Sequence, residues 1–219
     1  MPTTTARPDT YDMVLVHRVF RRELGAAPEL VRRVRSGDRE RAAVIAEHVA
    51  LLLVDLHHHH TGEDELLWPR LRRRTDVEPA LIRRMETQHD LISALMDEAN
   101  AVLPAWRKDP DAAAAERLAD TLDRLASELD IHLREEEAEI LPLATEHLTV
   151  AEWEELGERG LDGVARSRLL WALSAILDGA GEAERAKFMS KVPLPARIAW
   201  RLVGRRSYRR RRRLIYGSA

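Results

Sequence analysis

The sequence predicts an all-α protein: an antiparallel, up-down four-helix bundle with additional C-terminal helices. Three observations carry this. The 219 residues are 33% charged and 45% hydrophobic but only 5% aromatic, and Ala, Leu, Arg and Glu, which tolerate a helix well, dominate. Four stretches repeat apolar residues at spacings of three and four, the signature of one buried helix face. Each of those stripes also holds a histidine at a core position, so packing them together places four imidazoles in one interior.

Residues 1–9 read as a disordered leader, 10–148 as the bundle and 149–219 as a helical extension. The first helix starts near Asp9 or Thr10, either of which can cap it. Its stripe runs Met13, His17, Phe20, Leu24. Gly25 to Pro28 is expected to interrupt it, with Pro28 kinking or restarting the helix. Ser36-Gly37-Asp38 is a turn, with Asp38 as cap of the second helix. That helix has the stripe Ile45, Val49, Leu52, Leu56, His59, Glu63, Leu67. Gly62 inside it costs about 1 kcal/mol relative to Ala, which suggests a kink or a close backbone approach. Pro69 perturbs its end, and Thr75-Asp76 begins the next connection. The third stripe is Leu81, Met85, His89, Ile92, Met96, Ala99, Leu103, and Pro104 to Pro110 reads as a loop. Asp109-Pro110 is a cap followed by proline. The fourth stripe is Leu118, Leu122, Leu125, Leu129, His132, Glu136, Ile140.

Beyond residue 148 the pattern changes. Thr149-x-x-Glu152 is a capping-box signature for a short helix carrying Trp153. A helix over about 164–177 follows, then a break at Gly179-Ala180-Gly181. Pro193-Leu194-Pro195 precedes a last helix through Val203, and Arg205–Arg213 ends the chain. Residues 151–219 hold 15 Lys and Arg against 8 Asp and Glu, a net +7, whereas 1–150 carry −9. The basic segment is expected to dock on the acidic bundle through Trp200, Leu202, Val203, Tyr208, Leu214 and Tyr216. Phosphate contact by Arg205–Arg213, to nucleic acid or anionic lipid, is the disfavoured alternative.

The motif that organises the chain is His59-x-x-x-Glu63, repeated as His132-x-x-x-Glu136, each with a proline ten residues after the histidine. Residues four apart share a helix face, so an imidazole and a carboxylate can reach one metal ion or two neighbouring ones. The candidate ligands are His17, His59, Glu63, His89, His132 and Glu136. Imidazole and carboxylate suit iron, zinc or manganese. Two carboxylates facing across a bundle can bridge two ions roughly 3.5–4 Å apart. Without a metal, burying these groups is costly. The chain has no cysteine, which excludes thiolate zinc sites, disulfides and thiol catalysis.

These residues resemble the hemerythrin-like (HHE cation-binding) proteins over about residues 10–148. The resemblance implies a non-haem di-iron centre bridged by Glu63 and Glu136, with His17 and His59 on one iron and His89 and His132 on the other. It also implies a small oxidant as ligand or substrate, whether dioxygen, peroxide or nitric oxide. The oxygen carriers of that family have a further histidine one turn away on the third helix; here Ser93 stands one turn after His89 and Met85 one turn before. His60, adjacent to His59, is the best substitute. His57 and His58 point further away, and His48 and His147 read as helix-surface or helix-end residues. Asp64, Glu65, Glu86 and Asp90 could orient ligand imidazoles, although solvated charges are the plainer reading. Trp68 and Trp106 read as packing residues. The N-terminus lacks the apolar core of a signal peptide and no run approaches a membrane span, so a cytoplasmic location is the expectation.

Overall fold

The computed structural model describes residues 6–74, 79–162, 164 and 166–217. Every regular element among them is helical. The bundle comprises α1 (Tyr11–Arg32), α2 (Arg39–Gly62), α4 (Pro79–Lys108) and α5 (Ala112–Glu135), with the short α3 (Trp68–Arg74) and α6 (Leu141–His147) continuing α2 and α5. The closest packing runs in a ring, α1 on α5, α5 on α4, α4 on α2 and α2 on α1. The α1–α2 and α4–α5 connections meet at one end, where Gly37 N–H donates to the Pro110 carbonyl at 2.9 Å.

The four apolar stripes close as their spacing requires. One cluster, including Phe20, Leu56, Ile92, Leu129 and Trp106, fills the bundle toward that end. A second, including Leu67, Trp68, Met85, Ile140 and Trp153, lies toward the other. On every long helix the histidine falls between them: His17 precedes Phe20, His59 follows Leu56, His89 lies between Met85 and Ile92, and His132 precedes Ile140. The polar residues therefore form one belt between two apolar layers.

Several local expectations give way to packing. α1 runs unbroken through Gly25 and Pro28. Pro28 costs the helix about 3 kcal/mol, but Leu24, Leu30 and Val31 are at most 4% exposed, and burying each such side chain is worth about 1.5–3 kcal/mol. For the same reason α4 continues through Pro104 to Lys108, anchored by Leu103 and the buried Trp106. The cap of α5 is Asp111, whose side chain accepts from Ala114 N–H, not Asp109. Asp38 caps α2 as expected. Thr10 occupies the cap position of α1 but bonds Thr145 instead, and Asp9 pairs with Lys187 and Lys191. Residues 1–5 and the Thr75-Asp76 connection lie outside the described residues.

The extension folds back along the bundle. α7 (Val150–Leu161) carries the capping box and buries Trp153 and Leu156 in the second apolar cluster. Gly62 meets this helix: a Cβ there would sit 3.6 Å from both Leu156 and Arg159, an ordinary contact distance. α8 (Arg166–Asp178) ends at the glycine break, α9 (Glu182–Lys191) is an additional helix, and α10 (Leu194–Ala199) leads into α11 (Arg205–Tyr216). The arginine run is thus helical and docked. Ile215 joins the main core, Arg41 donates to the terminal carbonyls of Leu214 and Ile215, and Arg211 pairs with Glu47 at 3.0 Å. Trp200 donates to Ser174 and Tyr208 to Asp178. Leu202, Val203 and Leu214, expected as anchors, are 66, 58 and 49% exposed, because the helix turns the Tyr208 and Ile215 face inward instead. No helix among the described residues is long and apolar enough to cross a membrane.

Candidate metal centre

The two histidine-glutamate motifs end in the same local device. After Gly62 and after Glu135 the helix widens for one π-helical turn, Glu63–Leu67 and Glu136–Ile140. The N–H of Trp68 reaches back five residues to the Glu63 carbonyl, and that of Leu141 to Glu136. The next residue is proline in both cases, Pro69 and Pro142. A proline has no N–H to offer, so the register shift falls where the ladder is already broken. Such turns gather at functional sites. Here each begins at a buried glutamate followed by a second acid.

The side chains converge in the belt. His60, Glu63, His89 and His132 bring one nitrogen or oxygen each within 4.8 Å of one another. His17, His59, Glu63 and Glu136 form a second such group, so Glu63 belongs to both. His59 Nε2 is 3.2 Å from Glu63 Oε1, and His89 Nε2 is 3.5 Å from Glu63 Oε2. Glu136 Oε2 stands 3.4 Å from His17 Nε2 and 3.8 Å from His132 Nε2, between the two sets. All seven sequence candidates therefore meet, His60 included. Its ring stacks on His89 at 4.1 Å. The residue in the equivalent place of the second motif is Leu133, which packs in the core. That one difference gives the first group three imidazoles and the second two.

The outer ring nitrogens are already engaged. His17 Nδ1 lies 2.9 Å from Glu137 Oε1, His89 Nδ1 2.7 Å from Asp64 Oδ1, and His132 Nδ1 3.0 Å from Gln88 Oε1. A carboxylate or amide oxygen that accepts from Nδ1–H leaves Nε2 as a bare lone pair aimed inward. Asp64 is itself held by Trp68 Nε1 at 2.9 Å, and Glu137 by Arg21 at 2.7 Å. Of the four acids considered for orienting roles, only Asp64 takes one. Glu65 pairs with Arg159 and Glu86 with Arg72, while Asp90 is exposed. Glu137 and Gln88 are functional neighbours that the helix stripes do not single out. The signal for Glu137 was available: the repeat extends one residue, Glu63-Asp64 matching Glu136-Glu137.

Seven inward atoms have no partner: Nε2 of His17, His59 and His60, and both oxygens of Glu63 and of Glu136. Neither carboxylate pairs with Lys or Arg among the described residues. Burial pushes the Glu63 carboxyl well above the usual range, and the Glu136 charge raises it further. Burial also raises Glu136, partly opposed by His17 and His89. Burial and the neighbouring imidazoles hold His59 and His60 well below the ordinary histidine range and His132 down to about 2. Buried, acceptor-rich and without a Lys or Arg partner among the described residues, the belt fits a metal ion, whose charge reverses the cost of burying these groups.

A family model, that of the hemerythrin HHE cation-binding domain, matches residues 9–144. The chain belongs to the hemerythrin HHE cation-binding family. Comparison with curated proteins and with solved structures gives no match. All seven belt residues lie inside the family match, and α7 to α11 lie outside it. The HHE match and the two donor groups agree on a cation-binding helical domain.

His48 is the residue most misjudged from sequence. It is not on the surface but 3% exposed, with Nε2 3.4 Å from the buried Glu23. Its apparent surface position was covered by the extension, through Trp171 and Tyr216.

Proposed function

We propose that the chain is a non-haem di-iron protein that binds or reacts with dioxygen, peroxide or a related small oxidant. The observation that carries this reading is the pair of buried ligand groups that share Glu63, five of whose seven residues leave seven inward atoms unpartnered. His60, His89 and His132 would hold one ion and His17, His59 and Glu136 the other, with Glu63 common to both. Bound iron would supply one-electron redox chemistry and an open position for a small ligand. The chain supplies the rest. Glu137, Asp64 and Gln88 hold three of the five imidazoles, His17, His89 and His132, by Nδ1 so that Nε2 faces inward, and the two apolar clusters flank the belt on either side. A reducing cytoplasm, which keeps ferrous iron available, is the setting this reading assumes.

Metal content of the purified protein, with its visible spectrum before and after air and peroxide, tests the proposal. About two irons per chain and a spectrum that changes on oxidant addition support it. Repeated peroxide consumption in the same sample marks an enzyme, and one spectral change without turnover marks a sensor. Zinc alone, with no visible response, would overturn the oxidant chemistry.

A further inference from the structure

A second feature of the molecule is absorbed neither by the metal centre nor by the core. Between α1, α2, α7 and α8 lies a cavity of about 180 Å³. Its wall is largely apolar: Val16 and Phe20 of α1, Leu52 of α2, Leu156 of α7, Trp171 and Ile176 of α8. We propose that this cavity binds an uncharged, apolar molecule about the size of one aromatic ring, held beside His59.

Size sets the upper bound. An apolar cavity of roughly 150 Å³ is enough to stay dry and take up benzene. Charge sets the class. The Asp55 and Arg168 side chains on the wall are paired at 2.7 Å. An anionic ligand would meet the Asp55 carboxylate, whose Oδ1 is buried and unpartnered, and find the only lining cation among the described residues already paired, which is costly.

The glycines of α7 point the same way. Gly157 and Gly160 both line the cavity, and a Cβ at either would meet nothing within 4 Å. No close approach and no positive φ requires glycine there, yet each costs the helix about 1 kcal/mol relative to Ala. What the two glycines do provide is an open wall. A local rule broken without a packing reason is where function is sought.

Position completes the argument. His59 lies on the wall. Its side chain is 10% exposed, whereas the other six belt residues are at most 5% exposed. Its ring is 5.2 Å from Phe20, which also lines the cavity, and 5.2 Å from His17. Much of the wall comes from α7 and α8, outside the family match, so the extension completes a cavity that the bundle alone leaves open. Ligand binding stands apart from the iron reading. Only the ligand's role as a neighbour of the centre rests on it.

The test is a titration of toluene into the metal-free 219-residue chain, followed by tryptophan fluorescence and, independently, by calorimetry. Benzoate serves as the charged counterpart of similar size. Toluene is expected to bind saturably, with a fluorescence change that disappears in Trp171→Phe while the calorimetric signal remains, and benzoate is expected not to bind. Gly157→Leu should weaken toluene by about tenfold or more without lowering the melting temperature, because leucine is the better helix former. Ala172 of α8 also lines the cavity, and Ala172→Phe should do the same. Undiminished toluene binding in both filled variants, or benzoate binding as tight as toluene, would overturn the proposal. Because no metal is present, failure here is distinct from failure of the iron reading.

Discussion

Glu23 and Glu63 are both carboxylates at most 1% exposed inside the same bundle, and their surroundings push them in opposite directions. Glu23 has both oxygens satisfied by the chain itself: Arg22 Nε donates to Oε1 at 2.8 Å and the Tyr216 hydroxyl to Oε2 at 2.6 Å. Although burial opposes it, the neighbouring His48, Tyr216 and Arg22 together hold its carboxyl down to about 2. Glu63 has neither oxygen satisfied and faces a second carboxylate, and its carboxyl is driven up. A buried acid is stable as an anion only where something supplies positive charge or donors. At Glu23 the folded chain supplies them; at Glu63 they must come from outside the chain. One cluster is a structural clasp that ties the extension to the bundle, and the other is the proposed receptor for cations.

The largest effect should come from Glu63. Because it belongs to both donor groups, Glu63→Gln should lose both ions. Glu136→Gln, which leaves His60, Glu63, His89 and His132 intact, should keep one. Elemental analysis after equilibrium dialysis counts them, and full two-metal occupancy in Glu63→Gln would erase the contrast.

Next comes the clasp. Glu23 has a folded-state pKa below its unfolded value, so its stabilisation is complete above the ordinary carboxylate range near 4.5 and is lost as pH falls toward 2. The shift corresponds to about 3 kcal/mol. Urea unfolding between pH 6 and pH 3 should therefore show an acid-side loss that flattens in Glu23→Gln. Tyr216→Phe should cost roughly 1.5–3 kcal/mol, as for a hydrogen bond to a charged group, with metal content unchanged. Altered metal content in that variant would mean that the two clusters are not independent.

Smaller effects sharpen the picture. Removing an orienting group, as in Asp64→Ala or Gln88→Ala, should weaken metal binding about 10–100-fold without unfolding the protein; competition against a chelator reads this directly. Gly62→Ala should be neutral or stabilising by up to about 1 kcal/mol, because its Cβ finds only ordinary contacts with α7. A lower melting temperature would show that the α2–α7 approach is tighter than its geometry.

Legibility in the sequence followed the same division. The helix stripes and the belt were readable because both depend on residues three and four apart on one helix. His60 was harder, since its place in the belt shows in the neighbour it stacks on, His89, and not in the stripe. The prolines were misread where burial outweighed the lost hydrogen bond, at Pro28 and Pro104. His48 and Glu23 were invisible as a pair. They lie on different helices, and the residue that completes them, Tyr216, is 193 positions from Glu23. No local period encodes such a contact.

The most direct test is an anaerobic titration of ferrous iron into the metal-free protein, recording bound ions and melting temperature together. An ion that binds only the folded chain must stabilise it. The account predicts saturation at two ions per chain with a rising melting temperature. A chain that binds no iron, or melts at the same temperature with and without it, would contradict the reading of the belt as a receptor for cations.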